Sequence, residues 1–350
     1  NLIDVNADAL ERGLATIAKS LGRFVKKEKM TQDQVDEILA RITGSTEIAS
    51  AKDSKLVVEA VVERLDVKSS IFAELDTLCA PDAILATNTS SISITAIAAA
   101  TKRPDKVIGM HFMNPVPLMK LVEIINAHET SQETLDTILR CSETLGKTPV
   151  VTRDVPGFLV NRLLGPYLDE AVRLFVEGIS PLRVDRLMVR FGMPMGPFTL
   201  LDEVGLDIAA HAAKSLHEGY GERMAPTEAL LGMMGPDRLG KKSGAGFYDH
   251  RRKGRARKGA PMLMEDLSGY QSSSRAMRMS DVEIVERVVL AMVGEGAGTS
   301  AINPEVVAPL DKLRDMMGGG NVTVTGRLDG RDILISSERA GFDRNRVRGF

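Results

Sequence analysis

The chain has little cysteine, little net charge and no long apolar run. Its two cysteines, Cys79 and Cys141, stand at a spacing that suits neither a metal site nor a disulfide framework, so a reducing, cytoplasmic setting is expected. Forty-five Lys and Arg against 47 Asp and Glu leave a net charge of −2, which gives no electrostatic footprint for nucleic acid. The longest uncharged run, 83–101, contains Asn88 and several Ser and Thr, which argues against a membrane span. A G-x-G-x-x-G phosphate-binding turn is absent from the sequence.

What is present is a globular composition, 43% hydrophobic and 26% charged, at a length that suits two domains and a fragment of a third. The chain opens on Asn1 rather than Met, and NLIDVN reads as the second half of a β-strand. A fragment that begins inside a domain is therefore expected. Ala7 to Lys29 has helical periodicity through Leu10, Leu14, Ile17, Leu21 and Phe24, and Thr31 is the expected N-cap of a second helix. Short apolar runs follow at Lys55–Val62, Ile84–Thr87, Lys106–Met110 and Lys120–Ile125, with shorter strands expected at GSTEIA and Val150–Thr152. Helical segments, notably Leu65–Leu78 and Ser131–Leu145, lie between them. Strands apolar on both faces and alternating with helices predict an α/β fold, a doubly wound parallel sheet covered on both sides.

From Phe158 to about His217 the pattern is helical alone, which predicts an all-helical second domain ending near GKKSGAGFYDH. Residues 251–279 read as an exposed linker. Its basic run Arg251–Lys258 is a solvated tether rather than a nucleic-acid patch, because no aromatic residue interleaves with the charges. A helix restarts at Ser280, and the strand-like NVTVTGRLDGRDILISS attaches to no domain.

The densest chemistry lies between Thr87 and Ile125. Asn88, Thr89, Ser90 and Ser91 follow AILAT, His111 and Asn114 follow VIGM, and Glu123 sits in KLVEII on the strand face of Leu121 and Ile125. Buried polar groups cost free energy unless paired. A His and a carboxylate on strands, with a hydroxyl on a neighbouring strand, are the components of an acid–base site. A Glu held against the imidazole Nδ1–H fixes the tautomer and stabilises the imidazolium. Plainer readings stand beside these. His111 also reads as a hydrogen-bonded core residue, Ser90 as a helix cap and Asn161 as an exposed position in FLVNRLL. Asp4 reads equally as a helix N-cap or as the acid that, in a dinucleotide fold, accepts from the ribose hydroxyls and disfavours a 2′-phosphate.

In order along the chain, VVEAVVERLDVK, ILATNTSSISIT, GMHFMNPVPLMKLVEII, LGKTPVV, VPGFLVNRLL, GMPMGPFTLLDEVGLD and LGKKSGAGFYD resemble the 3-hydroxyacyl-CoA dehydrogenases of fatty-acid β-oxidation, over roughly Leu2 to Asp249. The resemblance implies a truncated Rossmann-like NAD-binding domain at 1–153, without its first βα unit, and a helical dehydrogenase domain at 154–250. A linker at 251–279, a partial second helical domain at 280–316 and an unassigned tail at 317–350 complete the expected organisation. The implied reaction is oxidation of an L-3-hydroxyacyl-CoA to the 3-ketoacyl-CoA, with NAD as hydride acceptor and no metal.

Carried over by position, His111 is the family's base and Glu123 its orienting partner, while Ser90 and Asn161 hydrogen-bond the substrate oxygen. Asp4, Glu63, Lys68, Asn114 and Lys242 fall on cofactor positions, and Ser20 and Lys27 on positions that touch coenzyme A. The linker and SDVEIVERVVLAMVGE are similar to fused α-subunits of multifunctional enzymes. That likeness implies an upstream enoyl-CoA hydratase domain and a thiolase subunit in a longer parent, and a homodimer through the helical domain. Two other readings remain: a 3-hydroxybutyryl-CoA dehydrogenase, and an inactive fragment that binds acyl-CoA or a partner subunit without turnover.

Overall fold

The computed structural model describes residues 1–251, 262–271, 278–302, 322–328 and 331–338. Two compact units divide the chain, at 1–149 and 150–350.

In the first unit Leu2–Ile3 (β1) runs into the helices Ala7–Lys26 (α1) and Gln32–Ala40 (α2), and Gly44–Ser45 (β2) returns parallel to β1. These two strands form a small sheet of their own, separate from the main one that the sequence pattern had joined them to. Asn6, not Asp4, caps α1 by accepting from the Ala9 amide. Thr31 caps α2 in a reciprocal box with Gln34.

The main sheet uses Leu56–Glu59 (β3), Ile84–Thr87 (β4), Val107–Phe112 (β5), Leu121–Asn126 (β6) and Thr148–Arg153 (β7), in the order β3-β4-β5-β6-β7. Leu65–Leu78 (α3), Ile94–Ala98 (α4) and Gln132–Thr144 (α5) connect them. β3, β4 and β5 are parallel, but β5 and β6 are antiparallel, so the sheet is mixed rather than wholly parallel. Residues 113–120 are too few for a crossover helix, and the chain turns back directly. One face packs Ile84, Ala86, Ile108, Met110, Val122 and Ile124 against Leu135 and Ile138 of α5. The period of two along a strand puts Thr87, Gly109, His111, Glu123 and Ile125 on the other face. Gly109 pairs with Ile125, and a Cβ there would lie 2.7 Å from the Ile125 Cβ and 3.0 Å from Ile94 of α4. That closeness explains the glycine within an apolar strand.

The second unit contains Val160–Val176 (α6), Pro181–Phe191 (α7), Pro197–Val204 (α8), Leu206–Tyr220 (α9), Glu228–Gly232 (α10) and Asp281–Ile302 (α11). Phe175, Phe198 and Phe247 meet edge to face at its centre, with ring centroids 4.6 to 6.2 Å apart. Buried Asp185 of α7 accepts from the Phe198 and Thr199 amides that open α8, and from the Tyr248 hydroxyl. Buried Asp202 of α8 accepts from the Phe247 and Tyr248 amides. These two carboxylates bind the GMPMGPFTLLDE and GKKSGAGFYDH phrases to each other.

Within the stretch read as a linker, Met264 donates its amide to the Phe247 carbonyl, Gln271 donates to the Phe175 carbonyl, and Arg238 pairs with Asp266. The remainder of that stretch, 252–261 and 272–277, lies outside the described residues, as does most of its basic run. Arg287 of α11 reaches Glu170 of α6 and Glu177 just after it, and Glu295 of α11 receives Arg162. Val322–Leu328 (β8) and Arg331–Glu338 (β9) form an antiparallel hairpin where the strand-like pattern lay. Residues 303–321, 329–330 and 339–350 lie outside the description. No described helix is long and apolar enough to cross a membrane.

Candidate active site

His111 and Glu123 are direct cross-strand partners in the β5–β6 pair. Glu123 Oε2 lies 2.6 Å from His111 Nδ1, with Glu123 fully buried and His111 nearly so. Burying a carboxylate costs several kcal/mol, more than the roughly 2 kcal/mol a packed aliphatic side chain returns, so the position demands a partner. The imidazole meets that demand, and the bond puts a proton on Nδ1. Proton exchange with a ligand then falls to Nε2.

The turn after β4 lies beside the end of β5, and a set of hydrogen bonds fixes it. Glu63 Oε1 accepts from the Thr89 hydroxyl at 2.6 Å and from the Ser90 and Ser91 amides at 2.8 and 3.0 Å. Burial acts to raise the Glu63 pKa, but the Thr89 hydroxyl, the two amides and the Lys68 ammonium together hold it below the usual carboxylate range. Lys68 is buried, with its Nζ 2.8 Å from Glu59 Oε1 and 3.4 Å from Glu63 Oε2. Asn88 Oδ1 accepts from the Phe112 amide at 2.9 Å, immediately after His111.

His111, Glu123, Ser90, Glu63, Lys68 and Asn114 therefore gather around the carboxyl ends of β3, β4 and β5. Asn114 is exposed just beyond β5. Ser90 is not a helix cap, since Ser93 caps α4. Asp4, Ser20 and Lys27 lie elsewhere in this unit. Asp4 immediately follows β1, with Oδ1 accepting from the Asn6 amide at 2.9 Å; Ser20 is half-buried on α1; exposed Lys27 follows the last turn of α1.

Asn161 and Lys242 belong to the second unit. Asn161 is half-buried in the first turn of α6. The Lys242 ammonium contacts both oxygens of Asp207, at 2.5 and 2.7 Å, and holds that carboxyl below its usual range.

Sequence reasoning passed over Glu59, Thr87, Asp185 and Asp202, all buried. Glu59 gives the same signal that picked out Glu123, an acid inside an apolar strand. Asp185 and Asp202 lie in amphipathic helices, where an acid reads as solvent-facing. Among the described residues no group of His, Cys, Asp or Glu could hold a metal ion.

Residues 1–155 match the family model for the 3-hydroxyacyl-CoA dehydrogenase NAD binding domain, and residues 157–250 the model for the 3-hydroxyacyl-CoA dehydrogenase C-terminal domain. A probable 3-hydroxybutyryl-CoA dehydrogenase of Bacillus subtilis is 44% identical over 256 residues, 72% of this chain and 89% of the relative. The fatty acid oxidation complex subunit alpha of Psychrobacter sp. is 38% identical over 296 residues, 83% of this chain but 41% of the relative. The chain thus spans about two-fifths of the alpha-subunit relatives it matches. The crystal structure of FadB2 from M. tuberculosis superposes with a TM-score of 0.68 at 42% identity, over 71% of this chain and 88% of the other.

Proposed function

Because the chain belongs to the 3-hydroxyacyl-CoA dehydrogenase family, we propose that it oxidises L-3-hydroxyacyl-CoA to 3-ketoacyl-CoA with NAD, as part of fatty-acid β-oxidation. The observation that carries the reading is the 2.6 Å His111–Glu123 pair, buried on one sheet face. Nε2 of His111 takes the C3 hydroxyl proton as the C3 hydride leaves, and in reverse the imidazolium returns it. Glu123 keeps the ring oriented and offsets the positive charge. Ser90 hydrogen-bonds the substrate oxygen, and Asn161 is a second substrate-contact residue.

The residues present fit the ribose and nicotinamide ends of a dinucleotide, while the Gly-rich turn that takes its pyrophosphate is not among them. Asp4 directly follows the parallel strand β1, where a ribose diol is recognised, and the loops after β3, β4 and β5 carry Glu63, Ser90 and Asn114. The chemistry NAD supplies when bound is hydride acceptance. Asp4, Glu63, Asn114 and Lys242 are the residues proposed to hold it. Lys68, buried between two carboxylates, acts toward it through Glu63. Ser20 and Lys27 are proposed contacts for coenzyme A.

A narrower reading, a short-chain 3-hydroxybutyryl-CoA dehydrogenase, is supported by the Bacillus relative, most of whose length is matched. An upstream hydratase domain, a thiolase partner, a homodimer and a cytoplasmic setting belong to the broader proposal. The test is NADH formation from L-3-hydroxybutyryl-CoA and from L-3-hydroxypalmitoyl-CoA. Turnover of the first alone selects the narrower reading, turnover of both the broader one, and turnover of neither rejects the proposal.

A further inference from the structure

We infer that Glu59 is a positioning residue. With Lys68 it forms a buried charge couple that fixes the turn bearing Ser90 and ties that turn to the strand bearing His111. What the positioned groups then do rests on the dehydrogenase reading; the order of the turn does not.

Both carboxylate oxygens of Glu59 and its carbonyl are directed at this region. Its Oε1 receives the Lys68 ammonium at 2.8 Å and the Val61 amide at 2.5 Å, and its Oε2 receives the Thr87 hydroxyl at 2.7 Å. Its own carbonyl accepts from the Asn88 amide at 2.7 Å. Thr87 is the register partner of Glu59, and the Thr87 oxygen in turn accepts from the Thr89 amide at 3.2 Å. Asn88 passes the constraint to β5 through the Phe112 amide.

The second route runs through Lys68. Its ammonium sits nearer Glu59 than Glu63, at 2.8 against 3.4 Å, which leaves Glu63 Oε1 to the Thr89 hydroxyl and the Ser90 and Ser91 amides. Neutralising Glu59 shifts the ammonium toward Glu63, where it competes with those donors for one carboxylate. A buried ion pair that served stability alone could be replaced by packed apolar groups. Here both carboxylates accept from residues 87–91, so the pair sets the conformation of one turn.

The test is hydrogen exchange by mass spectrometry on the full chain without cofactor, together with steady-state kinetics. In Glu59→Gln the amides of 88–91 exchange about tenfold faster or more, while Ile108, Met110, Val122 and Ile124 exchange as before. Thr87→Val leaves the ion pair intact and speeds the same amides by a smaller factor, so it carries the test if Glu59→Gln does not fold. Unchanged protection at 88–91 in a folded variant of either kind overturns the inference. In kinetics, kcat for L-3-hydroxybutyryl-CoA falls about tenfold in Glu59→Gln, and Glu59→Gln adds no further loss to Ser90→Ala. A loss that multiplies with Ser90→Ala makes Glu59 a structural carboxylate and overturns the positioning role. An inactive wild-type chain rejects the dehydrogenase reading instead, and the exchange result still decides the order of the turn.

Discussion

Glu123 stands directly opposite His111 across an antiparallel strand pair, and the carboxylate meets the imidazole at 2.6 Å without leaving the sheet face. The backbone register itself sets this distance, so the two groups should act as a unit. Glu123→Gln is expected to lower kcat by about 10² or more with little change in acyl-CoA affinity, the size of a general acid–base contribution. His111→Ala should lose at least as much, and the double variant scarcely more than the worse single. Multiplying losses in steady-state kinetics would show that Glu123 acts on stability and not through His111.

Much of this site was legible in the sequence, for a physical reason. An ionisable residue inside an apolar, β-branched run must be buried and therefore paired, and Glu123 met that condition with His111 one short turn away. The antiparallel β5–β6 pairing was not legible in the strands themselves, because an apolar strand reads the same in either direction. The length of the 113–120 connection held that information. Asp185 and Asp202 were hidden because their partners are backbone amides about 13 and 45 residues further along, and a helical acid shows no sign of such a partner. The separation of β1 and β2 from the main sheet was equally invisible, since two-residue strands carry no pattern.

Gly109 should tolerate no side chain. Its missing Cβ admits Ile125 from the paired strand and Ile94 from α4, at 2.7 and 3.0 Å from where that atom would stand. Gly109→Ala overpacks the face that holds His111 and is expected to cost about 1–3 kcal/mol in urea unfolding. An unchanged midpoint would mean that α4 can shift away freely.

Glu63 predicts an acid limb in the stability of the first unit. Its carboxyl is held below the usual range in the folded protein, so its contribution is complete above the unfolded value of roughly 4.3 and disappears as pH falls through the lower folded value. The stability difference between wild type and Glu63→Gln should be constant from neutral pH down to about pH 5, then shrink as pH falls further. Urea titrations at pH 7, 4 and 3 measure it. A difference that grows on acidification would reverse the sign assigned to this group.

Asp202 should be a large stability contributor in the second unit. It accepts from the Phe247 and Tyr248 amides at 2.8 and 2.9 Å and from His250 Nε2 at 2.8 Å, and Gly246 packs against it with no room for a Cβ. Asp202→Ala strands these donors, and at about 1–3 kcal/mol per buried unsatisfied group a loss on the order of 3 kcal/mol or more is expected in urea unfolding. The Lys241 amide also donates to the Asp202 carbonyl, so the segment carrying Lys242 should show faster hydrogen exchange in the same variant. A loss below about 1 kcal/mol would mean that water takes over all three bonds.

Cofactor choice should follow Asp4, and two substitutions separate its possible duties. Its Oδ1 accepts from the Asn6 amide, a turn-forming bond that an asparagine oxygen can also make, while Asn6 itself caps α1. Asp4→Asn therefore keeps the turn and removes only the charge. A carboxylate facing a ribose accepts from the diol and repels a 2′-phosphate. NAD should be preferred over NADP in the unmutated protein, and Asp4→Asn should narrow that preference by about tenfold in kcat/KM with the melting temperature nearly unchanged. Asp4→Ala, which also removes the turn acceptor, should narrow it further, mainly by weakening NAD. If both cofactors lose equally in Asp4→Asn, or if the unmutated protein uses them equally well, Asp4 is a turn residue and cofactor discrimination lies elsewhere in the chain.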